Sequence, residues 1–200
     1  SRHGPIVSDI DGGTARAAEK DVVMALSATY LEPEDLTPEA FFHINRAETW
    51  DAFVVALRDF QALQSNFFFA STGGDIGFIA PGLVPVRKRG WGLVPSPGWD
   101  GETDWTGYVP FDELPSILNP PSGRIVNANN RITPKGYPHF ISYDWAPAYR
   151  ARRIIELLDK KQQAVHSTTQ IQRDHVSEMA KRLLPLMTDI GPADARGRRA

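Results

Sequence analysis

The chain has 200 residues, 42% of them apolar and 23% charged, which is enough to bury the core of one ordinary globular domain. A formal net charge of −2 with no basic stripe argues against a nucleic-acid partner, and the absence of cysteine excludes disulfides and thiolate metal sites. No apolar run approaches the roughly 20 residues needed to span a bilayer, and a start at Ser1 with neither initiator Met nor signal peptide reads as a piece of something longer.

In chain order, Ser1 to Asp9 reads as a short strand entered through Gly4-Pro5, followed by a hairpin signal at Asp11-Gly12-Gly13. Lys20 to Leu31, with Val22, Val23, Met24, Leu26 and Tyr30, reads as a second strand. Thr37-Pro38 predicts an N-cap followed by proline at the first helical position, for a short helix through Ile44. Asn45, with Glu48 three residues on, predicts a capping box for an amphipathic helix bearing Trp50, Phe53, Leu57 and Phe60. Two aromatic-rich segments, 65–70 and 75–80, flank Thr72-Gly73-Gly74 and predict a hairpin in a central sheet.

From Pro81 to Ser122, proline and glycine preclude long regular elements. Trp91, Trp99 and Trp105 would be costly to leave in water, so the segment is expected to be an ordered loop packed over the sheet. Ile125-Val126 reads as the end of a strand, broken by three asparagines at 127, 129 and 130. Such a run either closes a turn or aims carboxamide N–H donors into a cleft, stabilising an oxyanion without a titrating group. Pro147 to Asp159 predicts a helix with Ala151, Ile154, Ile155 and Leu158 on one side. Ser167 to Gln170 reads as a capping box, opening a last helix that carries Ile171, Val176, Met179, Leu183 and Met187 despite Pro185.

Other motifs favour bland readings. His3, His43, His139, His166 and His175 lack metal-ligand spacing. The glycines at 73, 74 and 77 precede a strand and lack the Lys-Ser/Thr ending of a phosphate loop. Asp100, Glu102 and Asp104 alternate as a cation site might, without the loop that calcium binding uses. Arg150, Arg152 and Arg153 oppose the dipole at a helix start, which hints at a task for one of them; Arg152 and Arg153 read as a solvated face. Ser1 could use its own α-amine as a general base, but reads more simply as a chain start.

Several segments together, in order and spacing across residues 2–160, resemble the penicillin acylase (penicillin amidase) family of N-terminal nucleophile (Ntn) hydrolases. They are Arg2-His3-Gly4-Pro5, Asn66 to Ala70 with Asp75 to Phe78, Gly82 to Arg87, Trp105 to Phe111, Asn119 to Asn130, and Tyr149-Arg150. The resemblance implies an α+β fold that is part of an αββα sandwich. Residues 1–190 would form one domain, an internal part of the β chain, and 191–200 a disordered tail. It implies hydrolysis of the amide of N-acylated substrates, β-lactam antibiotics or N-acyl homoserine lactones, by an N-terminal serine lying upstream, so that the chain alone is inactive.

Residue by residue, the resemblance puts the oxyanion-hole asparagine at Asn129 and its orienting arginine at Arg150. It puts acyl-pocket positions at Ser65 and near Ala28, where an alanine in place of an aromatic would widen the pocket. The family's calcium ligands fall partly outside this stretch, and the residues near Gly92 and Ile141 keep no carboxylate pattern, so no cofactor is expected. The implied partners are the α chain, the rest of the β chain and a small N-acyl substrate, with neither nucleic acid nor membrane. The implied compartment is periplasmic or secreted. Unpaired sheet edges would favour self-association. A reading of a different class is a non-catalytic binding module that keeps the acylase scaffold and presents its loop tryptophans to a ligand.

Overall fold

A computed structural model describes residues 1–8, 10, 22–159 and 163–188. Among these the contacts gather into two compact units, Ser1–Ile125 with Gly136–Ile141, and Val126–Lys135 with the residues from Ser142 onward. The expected turn at Asp11-Gly12-Gly13 and the tail at 191–200 lie outside the described residues.

In the first unit, α1 (Thr37–Ile44) and α2 (Trp50–Leu57) lie on one face of a three-stranded antiparallel sheet. Its order is β1 (Phe67–Ala70), β2 (Ile76–Ile79), β5 (Ser116–Leu118). The predicted hairpin forms, with Phe67 opposite Ile79 and Phe69 opposite Gly77. Because side chains alternate across a strand, Phe67 and Phe69 meet the helices while Phe68 turns to the other face, where its ring lies 5.4 Å from that of Phe78. Phe53 stands 5.3 Å from Phe69, and Phe60 stands 5.0 Å from Phe67. Ala40, Leu57 and Ile79 complete the buried centre. Gly77 matters here, because any Cβ at that position would collide with the Trp50 indole lying across it.

Both helix starts differ from the expected caps. Thr37 is the first helical residue of α1, and its hydroxyl accepts from the Gln61 and Ala62 amides at 3.0 and 2.8 Å, pinning the loop after α2. Its own N–H is satisfied by Asp35 Oδ1 at 3.0 Å. Asn45 ends α1, and Thr49 caps α2 by accepting from Ala52 N–H at 3.2 Å.

Among the described residues, the strands expected at 1–9 and 20–31 reduce to one antiparallel bridge, Ile6 with Ala25. A left-handed turn at Gly4 (φ 110°) and a 3-10 turn at Thr29–Leu31 stop the pairing.

Within residues 81–122, β3 (Pro85–Arg87) pairs with β4 (Trp105–Tyr108), and Val84, Val109 and Leu114 form a second small core. Two of the three tryptophans are not buried: Trp99 is 76% and Trp91 60% exposed, the latter against Phe140 at 4.8 Å. The loop is ordered by polar clasps instead. Arg2 donates to Gly98 O at 3.0 Å and pairs with Asp104 at 3.2 Å, His3 Nε2 meets Gly98 O at 2.8 Å, and Lys88 pairs with Glu102. Of the alternating carboxylates, Glu102 and Asp104 are thus engaged by cations of the chain itself, while Asp100 Oδ1 accepts the Glu102 N–H at 3.0 Å.

No strand forms at Ile125-Val126, where one unit ends and the other begins, and the asparagine turn follows. The helix α3 spans Tyr149–Asp159, and Ala151 is its buried residue. The expected last helix is two, α4 (Val165–Gln172) and α5 (Glu178–Thr188), because the chain turns at 173–177. Ser167 is three residues inside α4, where it accepts from the Ala164 N–H at 2.8 Å. Pro185 sits within α5, near a helix end that Thr188 closes by donating to Leu184 O and Pro185 O.

Arg153 departs from its reading as a solvated side chain. It forks onto Asp174 in the α4–α5 turn, with Nε to Oδ1 at 3.0 Å and Nη2 to Oδ2 at 2.7 Å, while Nη1 reaches Glu156 at 2.8 Å. The two pairing groups are 15% and 17% exposed. The Arg153 hydrogen bond holds the Asp174 carboxyl below the ordinary carboxylate range, helped by the Val176 amide and His175.

Two outcomes follow for stability. Gly77→Ala destabilises by about 1–3 kcal/mol, because Trp50 must leave its place, and a lower urea midpoint checks it. Asp174 has a depressed folded pKa, so its contribution is full above its unfolded value of about 3.9 and is lost as pH falls through the folded value. Asp174→Asn should therefore lower stability near neutrality and flatten its decline below about pH 4, read as urea midpoint against pH.

Candidate active site

The asparagine turn is built from its own side chains. Asn127 Oδ1 accepts the Asn129 N–H at 3.1 Å, Asn130 Oδ1 accepts the Ala128 N–H at 3.0 Å, and Asn127 Nδ2 donates to Asn130 O at 3.3 Å. Each is a side chain replacing a backbone partner, the property that makes asparagine a turn residue. Asn129 takes the left-handed conformation at φ 63°, which asparagine tolerates far better than a β-branched residue would. Its carbonyl is fixed by the Ala146 N–H at 2.9 Å, on the segment leading into α3.

Arg150, in the first turn of α3, closes the arrangement. Its Nη2 donates to Ala128 O at 2.7 Å and to Asn129 Oδ1 at 2.9 Å. A guanidinium has donors only, so the carboxamide atom facing it is the oxygen, and the Asn129 Nδ2 is turned away. That NH₂ group has no hydrogen-bond partner among the described residues, and Asn129 is exposed. The result is a neutral, oriented pair of N–H donors on a residue whose backbone and acceptor are both tied down. Such a group can receive negative charge developing on a carbonyl oxygen.

The other sequence-derived positions lie in the first unit. Ser65 is exposed just ahead of β1, its hydroxyl donating to Leu63 O at 3.0 Å and its N–H to Pro81 O at 3.3 Å. Ala28 is half-buried at the entry to the 3-10 turn, where its carbonyl accepts from Leu31 N–H at 3.1 Å. No hydrogen bond joins Ser65 to Ala28 among the described residues. At Ser1 the amine and the hydroxyl both donate to Gly4 O, at 2.8 and 3.2 Å, an arrangement in which the amine does not address its own hydroxyl.

Asn129 and Arg150, 21 positions apart, are thus brought into contact. The sequence reading had Asn127 and Asn130 shaping the turn, as they do; it missed Ala146 as an anchor, and the pairing of Arg153, one turn along α3, with Asp174. Three asparagines in four positions were the available signal for the turn. Nothing local marks Asp174.

The chain matches the family of penicillin amidases over residues 1–200. It is 34% identical to the acyl-homoserine lactone acylase QuiP of Pseudomonas fluorescens, across 96% of this chain and 23% of that protein. It is 32% identical to the penicillin acylase 2 proenzyme of a Pseudomonas species, across 79% of this chain and 20% of that protein. Among solved structures it superimposes on the thermostable penicillin G acylase of Alcaligenes faecalis with a TM-score of 0.72, at 22% identity, over 97% of this chain and 35% of that one. The chain therefore spans about a quarter of the length of the curated relatives it matches. Its α+β fold, with helices on antiparallel sheets, is part of the Ntn-hydrolase sandwich. By its match over the full length and by these relatives, the chain belongs to the penicillin amidase family, a family of amide hydrolases.

Proposed function

We propose that the protein carrying this chain hydrolyses the amide of N-acylated small molecules, β-lactam antibiotics or N-acyl homoserine lactones, in the periplasm or outside the cell. The chain contributes the oxyanion donor as one domain of the β chain, working with the rest of that chain and an α chain. The nucleophile is an N-terminal serine upstream of Ser1.

In this mechanism the serine hydroxyl attacks the amide carbonyl carbon while its proton passes to the serine's own α-amine. A C–O bond forms, and the carbonyl oxygen takes the negative charge. Asn129 Nδ2 donates to that oxygen. The C–N bond then breaks, the amine-borne proton leaves with the nitrogen, and water releases the acyl group from the serine ester. Arg150 takes no proton; it holds Asn129 Oδ1 so that the opposite end of the carboxamide faces the reacting centre. Ser65 and Ala28 would line the acyl pocket, and a small residue at 28 suits a broad acyl group.

The observation that carries this reading is the pairing of Arg150 with Asn129 Oδ1 at 2.9 Å, which leaves Nδ2 as the outward donor. The names of the relatives, acyl-homoserine lactone acylases and penicillin acylases, support the substrate class. A second reading, a binding module presenting loop tryptophans, draws on the exposure of Trp91 and Trp99. An upstream Gly-Ser-Asn-type processing junction in the complete coding sequence favours the acylase, and its absence favours the module.

Two assays test the proposal. In the intact protein, Asn129→Ala should lower kcat by about 10²–10³ while the precursor is still processed; a near-normal kcat overturns the assignment. The 200-residue chain alone should not cleave a chromogenic N-acyl amide. Deacylation by the pure chain would return the nucleophile's role to Ser1.

A further inference from the structure

Arg150 can hold Asn129 only if the first turn of α3 is itself held, and that turn is electrostatically awkward. Arg150, Arg152 and Arg153 gather at the positive end of the helix dipole, and the first turn itself holds no acidic residue. Arg150 and Arg153, three positions apart, lie on neighbouring parts of one helix face. Two attachments flank Arg150. One residue before it, the Tyr149 ring lies under the Arg182 guanidinium of α5 at 5.6 Å. Three residues after it, Arg153 is forked onto Asp174.

The second attachment is the stiffer. A bidentate guanidinium–carboxylate pair fixes direction as well as distance, and here both side chains are largely buried. Asp174 is itself fixed, donating its N–H to Ile171 O at 3.1 Å and accepting from the Val176 N–H at 3.3 Å. The α4–α5 turn therefore sets the rotation of α3 about its axis, and with it the place from which Arg150 reaches Ala128 O and Asn129 Oδ1. Asp174 and Glu156 also offset the Arg153 charge, which lessens its repulsion of Arg150.

We infer that Asp174, acting through its fork with Arg153, is a positioning residue for Arg150 and hence for the Asn129 carboxamide. The inference rests on the oxyanion role proposed for Asn129.

The test uses the intact processed enzyme and a chromogenic N-acyl amide. Asp174→Asn and Arg153→Gln should each lower kcat at least about tenfold with KM changed less than about twofold, because slight misplacement of a transition-state donor costs turnover more than substrate binding. Asp174→Glu should recover part of the loss. Adding Asp174→Asn to Arg150→Gln should cost little beyond Arg150→Gln alone, since both act on one contact. Lys181→Gln, which breaks an exposed pair on α5, should leave kcat unchanged. Unchanged kcat in Asp174→Asn, or full additivity with Arg150→Gln, overturns the inference even where Asn129→Ala abolishes turnover. Normal kcat in Asn129→Ala overturns the oxyanion reading and this inference with it.

Discussion

One guanidinium organises the asparagine turn. Arg150 has only donors to give, and it gives them from one nitrogen to a backbone carbonyl and to a side-chain amide oxygen on consecutive residues. A lysine could satisfy the charge but not the planar direction of the bond. Because the acceptor end of Asn129 is consumed, the donor end is oriented without a hydrogen bond to it among the described residues. The remaining hydrogen bonds of the turn keep the backbone where this one interaction requires it.

Support for Arg150 comes from sequence far away. The α4–α5 turn reaches α3 through a carboxylate 21 residues beyond Arg153, and a tyrosine–arginine stack makes a second tie between α3 and α5. The first unit uses another economy. Its sheet is held by ring contacts on the helix face, and a glycine opposite Phe69 admits the largest ring of all.

What was legible in the sequence was what depends on short-range pattern. The Gly-turn hairpin formed because two short segments rich in aromatic and β-branched residues flank a two-glycine bend. The helices after Thr37 and through Phe53 formed because apolar spacing is a local property. The caps were misread because a hydroxyl serves whichever donors lie nearest in space: Thr37 binds amides 24 and 25 residues on rather than its own helix. Trp91 and Trp99 were misread because the loop around them is anchored by polar contacts of Arg2, His3 and Lys88, so their burial was not required for order. Arg153 was misread because its partner lies beyond a second helix. At the site, the asparagine cluster announced a turn, but which asparagine faces outward was carried by family resemblance and by the position of Arg150, not by the cluster.

Position 129 is subject to two filters that have nothing to do with each other. The left-handed backbone admits glycine, asparagine or aspartate with little strain. Glycine satisfies the backbone and supplies no side chain. Aspartate satisfies the backbone too, but would pair with Arg150 through one oxygen and turn the other outward, presenting a negative acceptor where a neutral donor had been. Of the residues the turn can hold, asparagine alone points a hydrogen outward. Geometry and chemistry choose the same side chain independently, so substitutions at this position have no gradual path: a neighbour tolerated by the fold is already the wrong sign.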